Sequence, residues 1–132
     1  MKGSCLINSL IENSAGRQRK LLQINVSANW GSHGRIAEEI GHLAMSQGWE
    51  SYIAYGRLAN PSNSKLIKIG NCWNVVLHGM QSRLFDNHGL SSKMATRKLI
   101  KAIEIIGPDI IHLHNIHGYY LNYPILFDFL SK

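Results

Sequence analysis

Apolar residues along this chain recur in two rhythms, short runs rich in β-branched residues and longer stretches where they return every three or four positions. The runs predict strands and the stretches helices. Leu21-Leu22-Gln23-Ile24-Asn25-Val26-Ser27 predicts a first, central strand. The turn-rich Asn29-Trp30-Gly31-Ser32-His33-Gly34 follows, and then Ile36, Ile40, Leu43 and Ala44 fall at helical spacing, with Glu38, Glu39 and His42 on other faces. Gly48 closes that helix, and Trp49 to Tyr55 alternates as a second strand, so the unit is βαβ, parallel and right-handed.

Gly56 to Lys65 reads as a loop and Leu66 to Ile69 as a short strand towards a sheet edge. From Trp73 to Phe85, Val76, Leu77, Met80 and Leu84 fit a helix that Gly79 weakens and Asp86-Asn87-His88-Gly89 breaks. Ser91 or Ser92 is positioned to cap the next helix, whose buried stripe is Ala95, Leu99, Ala102, Ile103 and Ile106, while Lys93, Arg97, Lys98 and Lys101 face water. Gly107-Pro108 stops it. Asp109 to Leu113 is an apolar run expected to be a buried strand. Asn122 to Leu130 predicts a last helix with Ile125, Leu126, Phe129 and Leu130 inward and Pro124 tolerated in its first turn. The expected fold is α/β, a Rossmann-like three-layer domain with a mostly parallel sheet over residues 21–132, preceded by an N-terminal extension over 1–20 that has no clear periodicity.

At 132 residues and 45% hydrophobic, the chain suffices for one core but not two. Its net charge of +6 admits an anionic ligand. Nucleic acid is disfavoured, because the basic residues of Arg17-Gln18-Arg19-Lys20 and of Lys93 to Lys101 are not interleaved with aromatics and read as solvated faces. Cys5 and Cys72 have neither CxxC nor metal spacing, so reduced thiols in a cytoplasmic protein are expected. Neither a signal peptide nor a membrane-spanning run stands out, which leaves at most peripheral membrane contact.

Two places carry candidate chemistry. Glycines between a strand and a helix, here Gly31 and Gly34 flanking Ser32 and His33, let backbone N–H groups approach a phosphate near a helix N-terminus, or simply make the turn. The spacing is G-x-x-G rather than G-x-G-x-x-G, and Tyr55-Gly56-Arg57 lacks the acidic residue that holds a ribose, so a dinucleotide site is disfavoured. At the end of the Asp109–Leu113 run stand His112, His114 and His117. H-x-H-x-x-H is a conceivable metal set, but no Cys, Asp or Glu completes it. His112 reads as packed in the sheet. His114, at the strand end, is open to either a structural or a ligand-facing role.

Leu21-Leu22-Gln23-Ile24-Asn25, Gly31-Ser32-His33-Gly34-Arg35-Ile36-Ala37, Tyr52-Ile53-Ala54-Tyr55-Gly56-Arg57 and Pro108-Asp109-Ile110-Ile111-His112-Leu113-His114-Asn115 together resemble the N-terminal half of bacterial glycosyltransferase family 4 enzymes, in the same order across residues 21–132. The last string is the most specific. The resemblance implies a GT-B fold of two facing Rossmann-like domains and retaining transfer of a sugar from a nucleotide sugar to a glycan or lipid-linked acceptor. It implies no metal and no cofactor beyond the nucleotide-sugar substrate. By position, Gly31, Ser32, His33 and Gly34 match the loop near the donor diphosphate, His114 matches the histidine that reaches towards the donor sugar and is the catalytic candidate, and Asn115 and His117 would line the cleft.

The family's C-terminal donor-binding domain and its Glu-x7-Glu motif have no counterpart in these 132 residues. Negligible transfer by this chain alone is therefore expected, with a separate C-terminal domain chain as a partner. A truncated product or half of a split enzyme fits that expectation, located in the cytoplasm or at the inner face of the membrane. The alternative function is a non-catalytic phosphate- or nucleotide-binding or protein-interaction domain.

Overall fold

A computed structural model of the chain describes residues 16–70 and 92–132. The helix expected over Trp73–Phe85, its break at Asp86–Gly89, the cap at Ser91, and Cys5 and Cys72 lie outside the described residues. Strand β1 (Lys20–Asn25) leads to helix α1 (Gly31–Ser46), β2 (Glu50–Tyr55) and β3 (Lys65–Lys68). Helix α2 (Lys93–Ile106), β4 (Ile110–Leu113) and α3 (Tyr123–Leu130) follow. The four strands form one parallel sheet in the order β3-β2-β1-β4. The chain is thus an α/β, Rossmann-like three-layer domain, with β1 inside the sheet and β3 at an edge; β4, expected to be buried, lies at the other end of the described sheet and is partly exposed, Ile110 by 49%, because only β1 flanks it there.

Period-two alternation sends Leu22 and Ile24 of β1, with Ala54 of β2, to one face, where Ala95, Leu99 and Ile103 of α2 and Leu126 of α3 close over them. Each large apolar side chain buried there contributes about 1.5–3 kcal/mol. The stripe on α2 is close to the expected one, except that Thr96 is buried while Ala102 and Ile106 are only partly so. Thr96 has a reason to be inside: its Oγ1 donates to the Ser92 carbonyl at 3.0 Å and accepts the Asn122 N–H at 2.8 Å. That ties α2 to the start of α3. Ser92 does occupy the N-cap position, with φ 61°, but its side chain makes no capping bond to the helix. Asn122 caps α3 as a side-chain acceptor, taking the Ile125 N–H at 3.2 Å.

The opposite face differs from expectation. Helix α1 buries Gly34, Ala37, Glu38 and Gly41, whereas Ile36 and Leu43 are 56% and 65% exposed. The reason is the sheet beneath it, which presents Gln23, Asn25 and Ser51 around a small apolar patch where Ile53 packs with Ala37 and Ala28. A partly polar floor requires a helix that comes close and supplies hydrogen-bond partners. A Cβ at Gly41 would lie 2.5 Å from Ser64 Oγ and 2.9 Å from Ser51 Oγ. Glu38 anchors the β2–β3 connection, accepting the Ser62 hydroxyl at 2.5 Å and the Asn63 N–H at 3.0 Å.

At the N-terminal edge of the sheet, the Asp109 carboxylate pairs with Arg17 and accepts the Lys20 N–H at 2.7 Å. Residues 17–20, the end of the segment read as an extension, are therefore fastened to the start of β4. Among the described residues, no helix is long and apolar enough to cross a membrane.

Candidate functional site

The sheet order creates a place for a ligand. Helix α1 carries the chain from β1 to β2 on one side, and the connection after β3 returns it to β4 on the other. Backbone segments therefore diverge at the C-terminal ends of β1 and β4, the topological switch point where open parallel sheets leave a crevice. A cleft of about 720 Å³ lies there. Its lining includes Val26 and Ser27 after β1, Trp30 and His33 at the start of α1, Arg57 and Leu58 after β2, Lys68 of β3, and Asn115 and His117 after β4. No carboxylate is among these residues, and Arg57 and Lys68 bring positive charge.

The segment after β4 is held rigidly from below. Tyr120, 1% exposed, donates its hydroxyl to the Asn115 carbonyl at 2.9 Å, and Tyr123 donates to the Ile116 carbonyl at 3.0 Å. Burial drives the Tyr120 phenol far above its ordinary pKa, so it stays a donor. The His117 N–H returns to Asn115 Oδ1 at 3.1 Å, a local turn that sets both side chains at the cleft. Lys68 Nζ donates to the Gly56 and Arg57 carbonyls at 3.0 and 2.6 Å, fixing the β2 end opposite.

His114 takes a different place from its neighbours. Its ring is half-buried on the α1 side of the sheet, where Nε2 lies 2.7 Å from Gln23 Oε1, and it stacks with centroids 4.1 Å apart on His112, which is exposed on the outer strand rather than packed as expected. Desolvation first, then the neighbouring His112 and His33, hold its pKa down to about 4. At neutral pH the ring is uncharged. Among the described residues, no group of three or more His, Cys, Asp or Glu side chains is placed to hold a metal ion.

The Gly31–Gly34 segment is the first turn of α1 rather than a loop before it. Gly31 has φ 67°, a left-handed conformation that glycine adopts readily. A Cβ at Gly34 would lie 3.0 Å from Ser27 Oγ and 3.2 Å from the Asn29 nitrogen, so this glycine lets the helix start against the end of β1. No side chain caps the turn and no acidic residue lies in it, which leaves its partial positive charge uncompensated locally. His33 faces the cleft from this turn, and its carbonyl receives Asn25 Nδ2 at 3.1 Å.

Of the residues singled out from sequence, His33, Asn115 and His117 line one cleft. Gly31, Ser32 and Gly34 form the helix start beside it, and His114 is tethered to Gln23. Sequence reasoning did not single out Trp30, Arg57, Lys68 or Gln23. Arg57 carried a usable signal, standing two residues beyond the end of a parallel strand. Gln23 inside an otherwise apolar run carried another. Comparison of the chain with protein-family models, with curated proteins and with solved structures found no match in any of the three.

Proposed function

We propose that the chain is the acceptor-side, N-terminal part of a retaining GT-B glycosyltransferase that uses a nucleotide sugar in the synthesis of a cell-surface polysaccharide or other glycan. The observation that carries this reading is the cleft at the switch point, where Asn115 and His117, at and just beyond the end of the Pro108–Asn115 string, face His33 and Arg57 with no carboxylate between them. Amide and imidazole groups suit sugar hydroxyls, the exposed indole of Trp30 suits a sugar or base face, and Arg57 with Lys68 suits an anionic part of donor or acceptor. Transfer also needs donors that stabilise the departing diphosphate from across the cleft, so these residues alone would turn over negligibly without a C-terminal partner domain. A cytoplasmic location, with peripheral contact where a lipid-linked acceptor resides, goes with this reading.

Calorimetric titration of the full chain with a panel of nucleotide sugars tests it. With glycan acceptors included in the panel beside the nucleotide sugars, binding of at least one member, weakened about tenfold or more by Arg57→Ala or His117→Ala, is the expected result. Equal affinity in wild type and both variants, or no binding to any member of the panel, counts against it. A protein-interaction domain is the second reading, favoured by the exposed Ile36 and Leu43 on one side of α1.

A further inference from the structure

We infer that Gln23 is the positioning residue for His114: its buried amide holds the imidazole as the Nε2–H tautomer, so that Nδ1 is the ring's acceptor and is matched to a hydroxyl donor rather than to a phosphate. The tautomer follows from bonds that have only one polarity. Gln23 Nε2 lies 2.8 Å from the carbonyl oxygen of Ala37 in α1, and a carbonyl can only accept. The amide nitrogen must therefore point at Ala37, and the amide oxygen at His114. That oxygen also only accepts, so the hydrogen of the 2.7 Å contact sits on His114 Nε2. A flipped amide would set two carbonyl oxygens against each other inside the protein, where Gln23 is 0% exposed and no water replaces the lost bond.

The rest of the surroundings keeps the ring neutral. His112 stacks on it from the same strand, His33 acts on it from the start of α1, and β1 contributes the uncharged amide of Gln23. No carboxylate is among these neighbours to favour an imidazolium. In a neutral Nε2–H ring Nδ1 is an acceptor, which gives a hydroxyl what it needs and a phosphate nothing. The assignment of that hydroxyl to a sugar rests on the transferase reading; the tautomer and the role of Gln23 do not.

Long-range ¹H–¹⁵N NMR of histidine side chains in the full chain tests the inference without any turnover. His114, assigned by its loss in His114→Gln, is expected as a neutral Nε2–H ring from about pH 8 down to about pH 5, with a protected Nε2 proton. Gln23→Glu places a carboxylate on the same nitrogen and should raise the His114 midpoint by about one to three pH units. Gln23→Met should abolish the protected Nε2 proton. Inorganic phosphate should leave the ring neutral. A wild-type ring in the Nδ1–H form, an ordinary titration midpoint near 6.5, or conversion to imidazolium by phosphate each overturns the inference, and all three are read on the wild-type protein whether or not the variants fold. Because none of these signals depends on sugar binding, failure here is separable from failure of the nucleotide-sugar titration.

Discussion

On one face of β1 stand Leu22 and Ile24, on the other Gln23 and Asn25, and all four are fully buried. The first pair meets α2 and α3 through apolar contact, which is strong, non-directional and indifferent to the orientation of its neighbours. The second pair meets α1 through bonds that each require one partner in one place: Gln23 to the Ala37 carbonyl at 2.8 Å and Asn25 to the His33 carbonyl at 3.1 Å. From β1, one face therefore contributes apolar burial and the other contributes position. Only the second leads directly to His114 and to the helix start that presents His33 to the cleft.

The comparison breaks most visibly on the apolar side. Leu22→Ala should cost about 2–5 kcal/mol in urea unfolding, since the side chain is completely enclosed and its neighbours cannot all collapse into the space. The amide cross-peaks of the Gly31–His33 turn should hold their positions, because that turn hangs from the other face. Large shifts there would mean the two faces are not separable.

A matched pair of glycine substitutions sharpens the contrast. A Cβ at Gly56 would come within 2.3 Å of the Tyr120 ring, whose hydroxyl holds the segment carrying Asn115. Gly56→Ala should cost about 1–3 kcal/mol and also disturb the cleft, because a packed ring has nowhere to go. At Gly41 the obstacles are the Ser64 and Ser51 hydroxyls, which are bonded to each other at 2.8 Å. Gly41→Ala should destabilise less, and Ser64→Ala in the same chain should recover part of the loss. Equal costs at the two sites, or no recovery, would remove the distinction between a ring that cannot move and hydroxyls that can.

A third, smaller effect appears with pH. His114 has a pKa of about 4 in the folded chain against an ordinary value of 6.5. Between those values the unfolded chain binds a proton that the folded chain does not, so its contribution to stability is complete above about pH 6.5 and is lost as the pH falls towards 4. Urea midpoints should decline from pH 7 to pH 5 in the wild type, and His114→Gln should decline less. The half-exposed ring makes the difference modest. An identical decline in both proteins would place the pH sensitivity in other groups.

How much of this was legible in the sequence depended on whether a segment was ordered by apolar burial. Strand β1 and helix α2 were, because Leu22, Ile24, Leu99 and Ile103 repeat at the periods their elements impose. The string from Pro108 to Asn115 ends where the cleft opens, and His33, Asn115 and His117 line that cleft. The tether of His114 to Gln23 was not legible: it joins residues 91 positions apart, and nothing in local spacing reports such a bond. Nor was Lys68, whose place at the cleft depends on which strands are neighbours rather than on the residues around it.

Helix α1 is where periodicity misled, and it yields the smallest expected effect. Ile36, Ile40, Leu43 and Ala44 have the spacing of a buried stripe, yet the helix turns Gly34, Ala37, Glu38 and Gly41 inward. Small residues win because the Gln23 and Asn25 amides beneath must be reached by the backbone carbonyls of Ala37 and His33, and a wall of isoleucine would strand them without partners. If that is the physical reason, Ile36→Lys should change stability by no more than about 0.5 kcal/mol, as at other exposed positions. Ala37→Leu, one residue away and 0% exposed, should be far more damaging, since it separates the Ala37 carbonyl from Gln23. Measured side by side by urea unfolding, the two substitutions decide which stripe of α1 the domain rests on: a large loss from Ile36→Lys would mean that the apolar stripe is covered after all, and that the polar face is stabilised by more than its hydrogen bonds.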